Sequence, residues 1–274
     1  MSLPTIVFIH GQYLTPRCWD AWVSRYEARG ATCFAPAWPG RYGAVDLLRR
    51  VARDGHLARL RLSEIVDEYY KLLFRIEDRV VFVGHGAGGL IAQLLLQKGL
   101  ASGAVAICPL PPAGVRPARW MLARANWPLL APWPGSARPI RLGRRRFGAA
   151  FAAHHPPARR AELHAARIVP ESRQVARDLI GPPARIDFAK AQAPLLLLAA
   201  GRDRVVPESV VRATYQRYAI AREAPVVNGT VEFECYPDRS HGLLDQPGWE
   251  VVADDVHDWI STRIAADPGD ANDA

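Results

Sequence analysis

A chain of 274 residues with 49% hydrophobic side chains is long enough for one large α/β domain, which at this size buries roughly 75% of its unfolded surface. Its net charge of +8 comes from arginine, since lysine occurs only at Lys71, Lys98 and Lys190; with no nucleic-acid-binding motif beside it, the charge reads as solvated surface. No apolar run approaches the ~18 residues of a membrane span, no secretory leader precedes the first apolar run, and Cys18, Cys33, Cys108 and Cys235 lack metal-ligand spacing, so a cytoplasmic protein with reduced thiols is expected.

In chain order, short apolar runs alternate with helical patterns, the signature of a mostly parallel sheet flanked by helices. Strands are predicted at Thr5–Ile9, Thr32–Ala35, Val80–Val83, Val105–Cys108, Leu195–Ala200 and Val231–Tyr236. Helices are predicted at Trp19–Ala28, Val45–Arg53, Ser63–Arg75, Leu90–Gln97, Glu208–Ala219 and Trp249–Ile264, with Ser63 as a helix start ahead of Glu64 and Asp67. Between Pro109 and Ala193 the strand rhythm stops. Proline and arginine are dense there, and amphipathic pieces appear at Ala158–Ile168 and Ser172–Ile180. The expected organisation is a core of residues 1–108 and 194–264, a helical lid of 109–193, and a fraying tail of 265–274. A lid between two core strands covers the carboxyl ends of the sheet, where open α/β sheets bind ligands. Its apolar members Trp120, Met121, Trp127, Trp133, Phe147 and Phe151 are candidate pocket walls. The run Arg144-Arg145-Arg146, with Arg138 and Arg141 upstream, is expected on a solvated face.

The chemistry concentrates at three places. Val80-Val81-Phe82-Val83-Gly84-His85-Gly86-Ala87-Gly88-Gly89 reads as a buried strand running into a glycine-rich turn and then a helix. This is the setting of the G-x-S-x-G nucleophile elbow, with Gly86 at the nucleophile position. Such a turn needs Gly84 and Gly88 because neighbouring backbone must approach closely. Downstream, Gly201-Arg202-Asp203 follows an apolar strand, and Ser240-His241-Gly242 follows the next one. The order elbow, Asp, His is that of a Ser–His–Asp hydrolase on an α/β sheet. At the end of the first strand stands Ile9-His10-Gly11-Gln12. There the backbone N–H groups of Gln12 and Ala87 are candidates for an oxyanion hole, and His10, Gly11 and His85 for substrate contacts.

On these residues the chain resembles the α/β-hydrolase superfamily from Thr5 to about Ile264, in particular lid-bearing bacterial hydrolases. The matching stretches include Val7-Phe8-Ile9-His10-Gly11, Ala35-Pro36-Ala37-Trp38-Pro39-Gly40, Gly84-His85-Gly86-Ala87-Gly88-Gly89-Leu90, Pro109-Leu110-Pro111-Pro112-Ala113-Gly114 and Ser240-His241 to Gln246-Pro247-Gly248-Trp249. The resemblance implies an α/β-hydrolase fold and a carboxylic ester or lactone hydrolase. It also implies Ser at 86, Asp at 203 and His at 241, and the chain meets the last two. Three readings stay open: a serine hydrolase whose nucleophile is replaced, an enzyme that uses Asp203–His241 as a general base without a covalent intermediate, and a non-catalytic binder. No metal or dinucleotide motif is visible, so no cofactor is expected. The expected partner is a small, partly apolar substrate, with neither nucleic acid nor membrane.

Overall fold

The computed structural model describes residues 3–51, 56–115, 139–190, 193–222 and 230–264. Six strands, β1 (Thr5–Ile9), β2 (Cys33–Phe34), β3 (Val80–His85), β4 (Gly103–Ile107), β5 (Leu195–Ala200) and β6 (Val231–Tyr236), form one sheet in the order β2-β1-β3-β4-β5-β6. Every neighbouring pair is parallel. The helices are α1 (Asp20–Glu27), α2 (Val45–Val51), α3 (His56–Arg59), α4 (Leu62–Leu73), α5 (Ala87–Leu96), α6 (Arg144–Ala150), α7 (Pro157–Arg167), α8 (Arg173–Asp178), α9 (Glu208–Arg222) and α10 (Trp249–Arg263).

Strands covered on both faces carry continuous apolar runs, and every residue of β1, β3, β4 and β5 is buried. Alternate side chains serve opposite layers. Val7, Ile9, Phe82, Leu195 and Leu197 pack with residues of α4, α5 and α9, such as Ile65, Leu90 and Val211. Ile6, Phe8, Val81, Val83, Leu196 and Leu198 pack with Trp22 and Tyr26 of α1 and with Val256 and Ile260 of α10. Helix α5 is apolar apart from Gln93, whose amide donates to the Gly89 carbonyl, and every one of its residues is buried, so the element that follows the elbow is fixed firmly in the core. β6, at the sheet edge, is only partly buried.

The chain runs from β1 outward to β2 and then returns past β1 to β3. The order therefore reverses between β1 and β3, and a crevice opens at their carboxyl ends. Helix α4 begins at Leu62, one residue before the expected start at Ser63. Its first amides are satisfied by carboxylates: Glu64 accepts from Arg61 N–H at 2.7 Å, and Asp178 of α8 accepts from Leu62 N–H at 3.0 Å. A tertiary partner replaced the local serine as cap, which no local pattern reveals.

Between β4 and β5 the described residues form α6, α7 and α8, joined to the core by a buried ion pair. Arg41, from the loop after β2, sits 2.5 Å from Glu171, with side chains 1% and 0% exposed. Glu171 also accepts from the N–H groups of Tyr13 and Ser172, and Arg41 donates to the Leu14 carbonyl. Ser172 caps α8 by accepting from Gln174 and Val175 N–H, and its hydroxyl donates to the Leu60 carbonyl. The sequence 116–138, with Trp120, Met121, Trp127, Trp133 and Arg138, and the tail 265–274 lie outside the described residues. Among the described residues no helix is long and apolar enough to cross a membrane.

Candidate active site

The elbow is set by close packing. A β-carbon on Gly84 would meet the Gly88 carbonyl oxygen at 2.1 Å, and one on Gly88 would meet the Ile9 carbonyl oxygen at 2.1 Å. Both contacts are impossible, so strand, turn and helix can converge only with glycine at these positions. Gly86 at the apex has φ 58° and ψ −115°, a conformation that costs other residues on the order of 1–3 kcal/mol. Its N–H donates to Ile107 and its carbonyl accepts from Leu110, which fixes the apex against β4.

Above Gly86 stands His241. A β-carbon built on Gly86 would lie 3.5 Å from His241 Nε2, and no other residue outside the turn comes as close. One bond further out, a hydroxyl would reach hydrogen-bond distance of that nitrogen. The opposite ring nitrogen, Nδ1, is 2.7 Å from Asp203 Oδ2. Asp203 is held in turn by Val205 and Val206 N–H, which donate to Oδ1 at 2.6 and 2.8 Å. An ionised carboxylate only accepts, so Nδ1 carries the proton and Nε2 presents its lone pair toward Gly86. His85 donates from Nε2 to the His241 carbonyl at 2.8 Å, and its ring lies 4.6 Å from the His241 ring. Burial lowers the His85 pKa to about 3, so it is a neutral group that anchors the His241 loop. Phe151 packs edge-on against the His241 ring with centroids 5.0 Å apart.

The crevice over Gly86 is a cavity of about 380 Å³. It is bounded by Gly11, Gln12 and Tyr13 after β1, by His85, Gly86 and Ala87 at the elbow, and by Leu110, Val205 and His241. The segment after β4 closes it with Ile140, Leu142, Ala149, Ala150 and Phe151. The N–H groups of Gln12 and Ala87 form no hydrogen bond among the described residues. A larger hollow of about 730 Å³ lies at the opposite ends of the strands, near Ser102, Pro194 and Ile264, and among the described residues no histidine, cysteine or carboxylate lines it.

Gly11, Gln12, His85, Gly86, Ala87 and His241 thus meet at one cavity, with Asp203 directly behind the histidine. Two residues expected on its wall stand elsewhere. His10 is fully buried, stacks on Trp38 with centroids 4.5 Å apart and accepts from Trp38 N–H. Burial, with help from Arg41, lowers its pKa to about 3, and it shapes the turn from behind. Phe147 packs inward with Tyr13, Leu14 and Leu163, because α6 turns Phe151 toward His241 instead. Trp120 and Trp127 lie outside the described residues.

Cys108, in the left-handed region at φ 44°, is fully buried, with its thiol beside Asp203 and His241. Burial first and the Asp203 carboxylate second push the thiol pKa well above its ordinary value. It stays protonated and is no substitute nucleophile. The arginine run splits: Arg144 and Arg145 face solvent away from the cavity, whereas Arg141 and Arg146 border it, as does Arg204 from the loop after β5. Helical spacing alone does not separate these, since the cavity edge is set by how α6 docks.

The sequence profile described as "Alpha/beta hydrolase family" matches residues 6–267. The chain belongs to the alpha/beta hydrolase family. Comparison with curated proteins gives no match. Among solved structures it is similar to the pyrethroid hydrolase of Sphingobium faniae JZ-2, with a TM-score of 0.68 and 21% identity over 95% of this chain and 98% of that one. It is also similar to the monoacylglycerol lipase of Paleococcus ferrophilus, at 0.64 and 17% over 96% and 100%. A variant of tomato methylketone synthase I complexed with β-ketoheptanoate gives 0.64 and 13% over 95% and 99%. At these identities the likeness is one of fold.

Proposed function

We propose that this alpha/beta hydrolase acts on a carboxylic ester or lactone by direct attack of water, without an acyl-enzyme. The observation that carries this reading is the pairing of a poised His241 Nε2 with a Gly86 that has no side chain to attack. Loss of the serine from a working triad costs on the order of a millionfold in kcat, so an acyl-enzyme route through this chain is closed. Space for a water-sized nucleophile exists where the serine hydroxyl would stand, next to His241 Nε2.

In this mechanism the substrate carbonyl lies against the Gln12 and Ala87 N–H groups, which stabilise the developing oxyanion. His241 Nε2 takes a proton from water as its oxygen bonds to the carbonyl carbon. Asp203 stabilises the imidazolium so formed. The tetrahedral intermediate collapses, the ester C–O bond breaks, and the imidazolium returns the proton to the leaving alkoxide. The segment after β4 acts as the lid, shielding this chemistry with Leu142 and Phe151. Support for an ester substrate comes from the neighbours of like fold, a pyrethroid hydrolase and a monoacylglycerol lipase among them.

The test uses 4-nitrophenyl acetate and a γ-lactone with the chain as it is. The expected result is slow turnover, without a burst of nitrophenol, that is lost in His241→Ala and falls at least about 100-fold in Asp203→Asn, as expected for a general base and the residue that orients it. A rate unchanged by His241→Ala contradicts the proposal. A second reading, decarboxylation of a β-keto acid in which the electrons of the broken C–C bond pass to an enolate held by the Gln12 and Ala87 N–H groups and the carbon then takes a proton, rests on the methylketone synthase complex with β-ketoheptanoate. Release of carbon dioxide from that acid, with no action on esters, would select it.

A further inference from the structure

We propose that the ligand of this cavity carries an oxyanion, a carboxylate or a phosphate, gripped at the rim by Arg146 and Arg204. The inference rests on the cavity over Gly86 being the substrate site, as proposed above, and concerns what enters it.

Among the described residues the wall of the cavity combines apolar groups, His241 and the guanidinium donors of Arg141, Arg146 and Arg204, with no carboxylate. Arg146 reaches it from α6 and Arg204 from the loop after β5, two stretches far apart in sequence that converge on one opening. Neither makes an ion pair among the described residues, and no Asp or Glu lines the cavity. Both nearby buried carboxylates are already engaged. Asp203 is held by His241 and two amides, and Glu171 by Arg41 and the amides of Tyr13 and Ser172. Arg202, two residues before Arg204, pairs with Asp238, Arg167 with Asp245 and Arg263 with Glu232, so acids near other loops are taken up by other arginines. Arg141, the third guanidinium on the rim, donates to the Arg49 carbonyl and adds positive charge without an acid of its own. Gln12 adds a buried amide nitrogen, Nε2, that has no hydrogen-bond partner. A cavity with donors on several sides and no acid to balance them favours an anion, and guanidinium forks fit carboxylate and phosphate oxygens.

The experiment measures binding, so it is independent of turnover. Hexanoate, pentyl phosphate and neutral hexanamide, which share one five-carbon apolar chain, are titrated calorimetrically into the intact protein. At least one of the two anions is expected to bind about tenfold more tightly than hexanamide, as two partly exposed charge pairs allow. Whichever anion is preferred identifies the oxyanion. The preference should shrink to about threefold or less in 0.5 M salt and vanish in Arg146→Ala/Arg204→Ala. It should persist in Arg17→Ala, which lies away from the cavity. Equal affinity for all three ligands overturns the inference, as does a preference that survives loss of both arginines or disappears in Arg17→Ala. These outcomes leave ester turnover as a separate question. A His241-dependent esterase with no anion preference upholds the mechanism and refutes the arginine grip.

Discussion

Gly86 is where the scale of single residues decides the outcome. Its backbone keeps the strained shape of a nucleophile elbow, yet it bears none of the strain, because glycine tolerates φ 58°. Activity and stability should therefore move in opposite directions on substitution. Gly86→Ser is expected to lower unfolding free energy by about 1–3 kcal/mol in urea titration, the cost of a side chain in this conformation. A Ser variant as stable as the parent would show that the turn relaxes. Around Gly86, the residues that could be read from sequence were those held by chain order: the elbow, then Asp203 past β5, then His241 past β6. His85 and His10 were legible as neighbours of the site but not in their roles. Which side of a tight turn a ring occupies is set by packing against His241 and Trp38.

Elements are held in register by few buried polar contacts, and the Arg41–Glu171 pair is the buried ion pair among those that tie the β4–β5 segment to the core. Breaking one side leaves a buried unpaired charge, so Glu171→Ala should cost about 3–5 kcal/mol, read by denaturant unfolding. Replacing both with leucine should recover much of that loss. If the double variant is no better than the single one, the pair is not the main link. This contact was invisible in sequence, because Arg41 and Glu171 are far apart in the chain and neither sits in a periodic pattern. All six strands, in contrast, were legible to within two residues at either end. The four inner ones are buried on both faces and so carry uninterrupted apolar runs flanked by turn residues. The start of α4 was less so, since Asp178 caps it through a tertiary contact, whereas the piece expected from Ser172 does start there, with the Ser172 hydroxyl accepting from Gln174 and Val175 N–H.

For the whole molecule, the buried neutral histidines set a pH limit on folding. His10 and His85 have folded pKa values lowered to about 3 from the ordinary 6.5 by burial. Folding thus favours the uncharged ring, and the stability this represents is present above pH 6.5 and is lost as pH falls toward 3. Each histidine should take on the order of 2 kcal/mol from unfolding free energy between pH 7 and pH 5. Chemical denaturation across that range measures it, and His10→Gln, although less stable at pH 7, should lose less on acidification. An acid slope that is the same with and without His10 would remove it from this account.

The chain is a member of the alpha/beta hydrolase family in which His241, Asp203 and the N–H groups of Gln12 and Ala87 surround Gly86, which carries no hydroxyl. Installing that hydroxyl tests the claim most directly. Stopped-flow hydrolysis of 4-nitrophenyl acetate by Gly86→Ser should show a burst equal to the enzyme concentration. Steady turnover should rise at least about a thousandfold over the parent, within the roughly millionfold contribution of a triad nucleophile. A folded Gly86→Ser protein with no burst and the parent's rate would mean that His241, Asp203 and the two amides do not form a working hydrolase site.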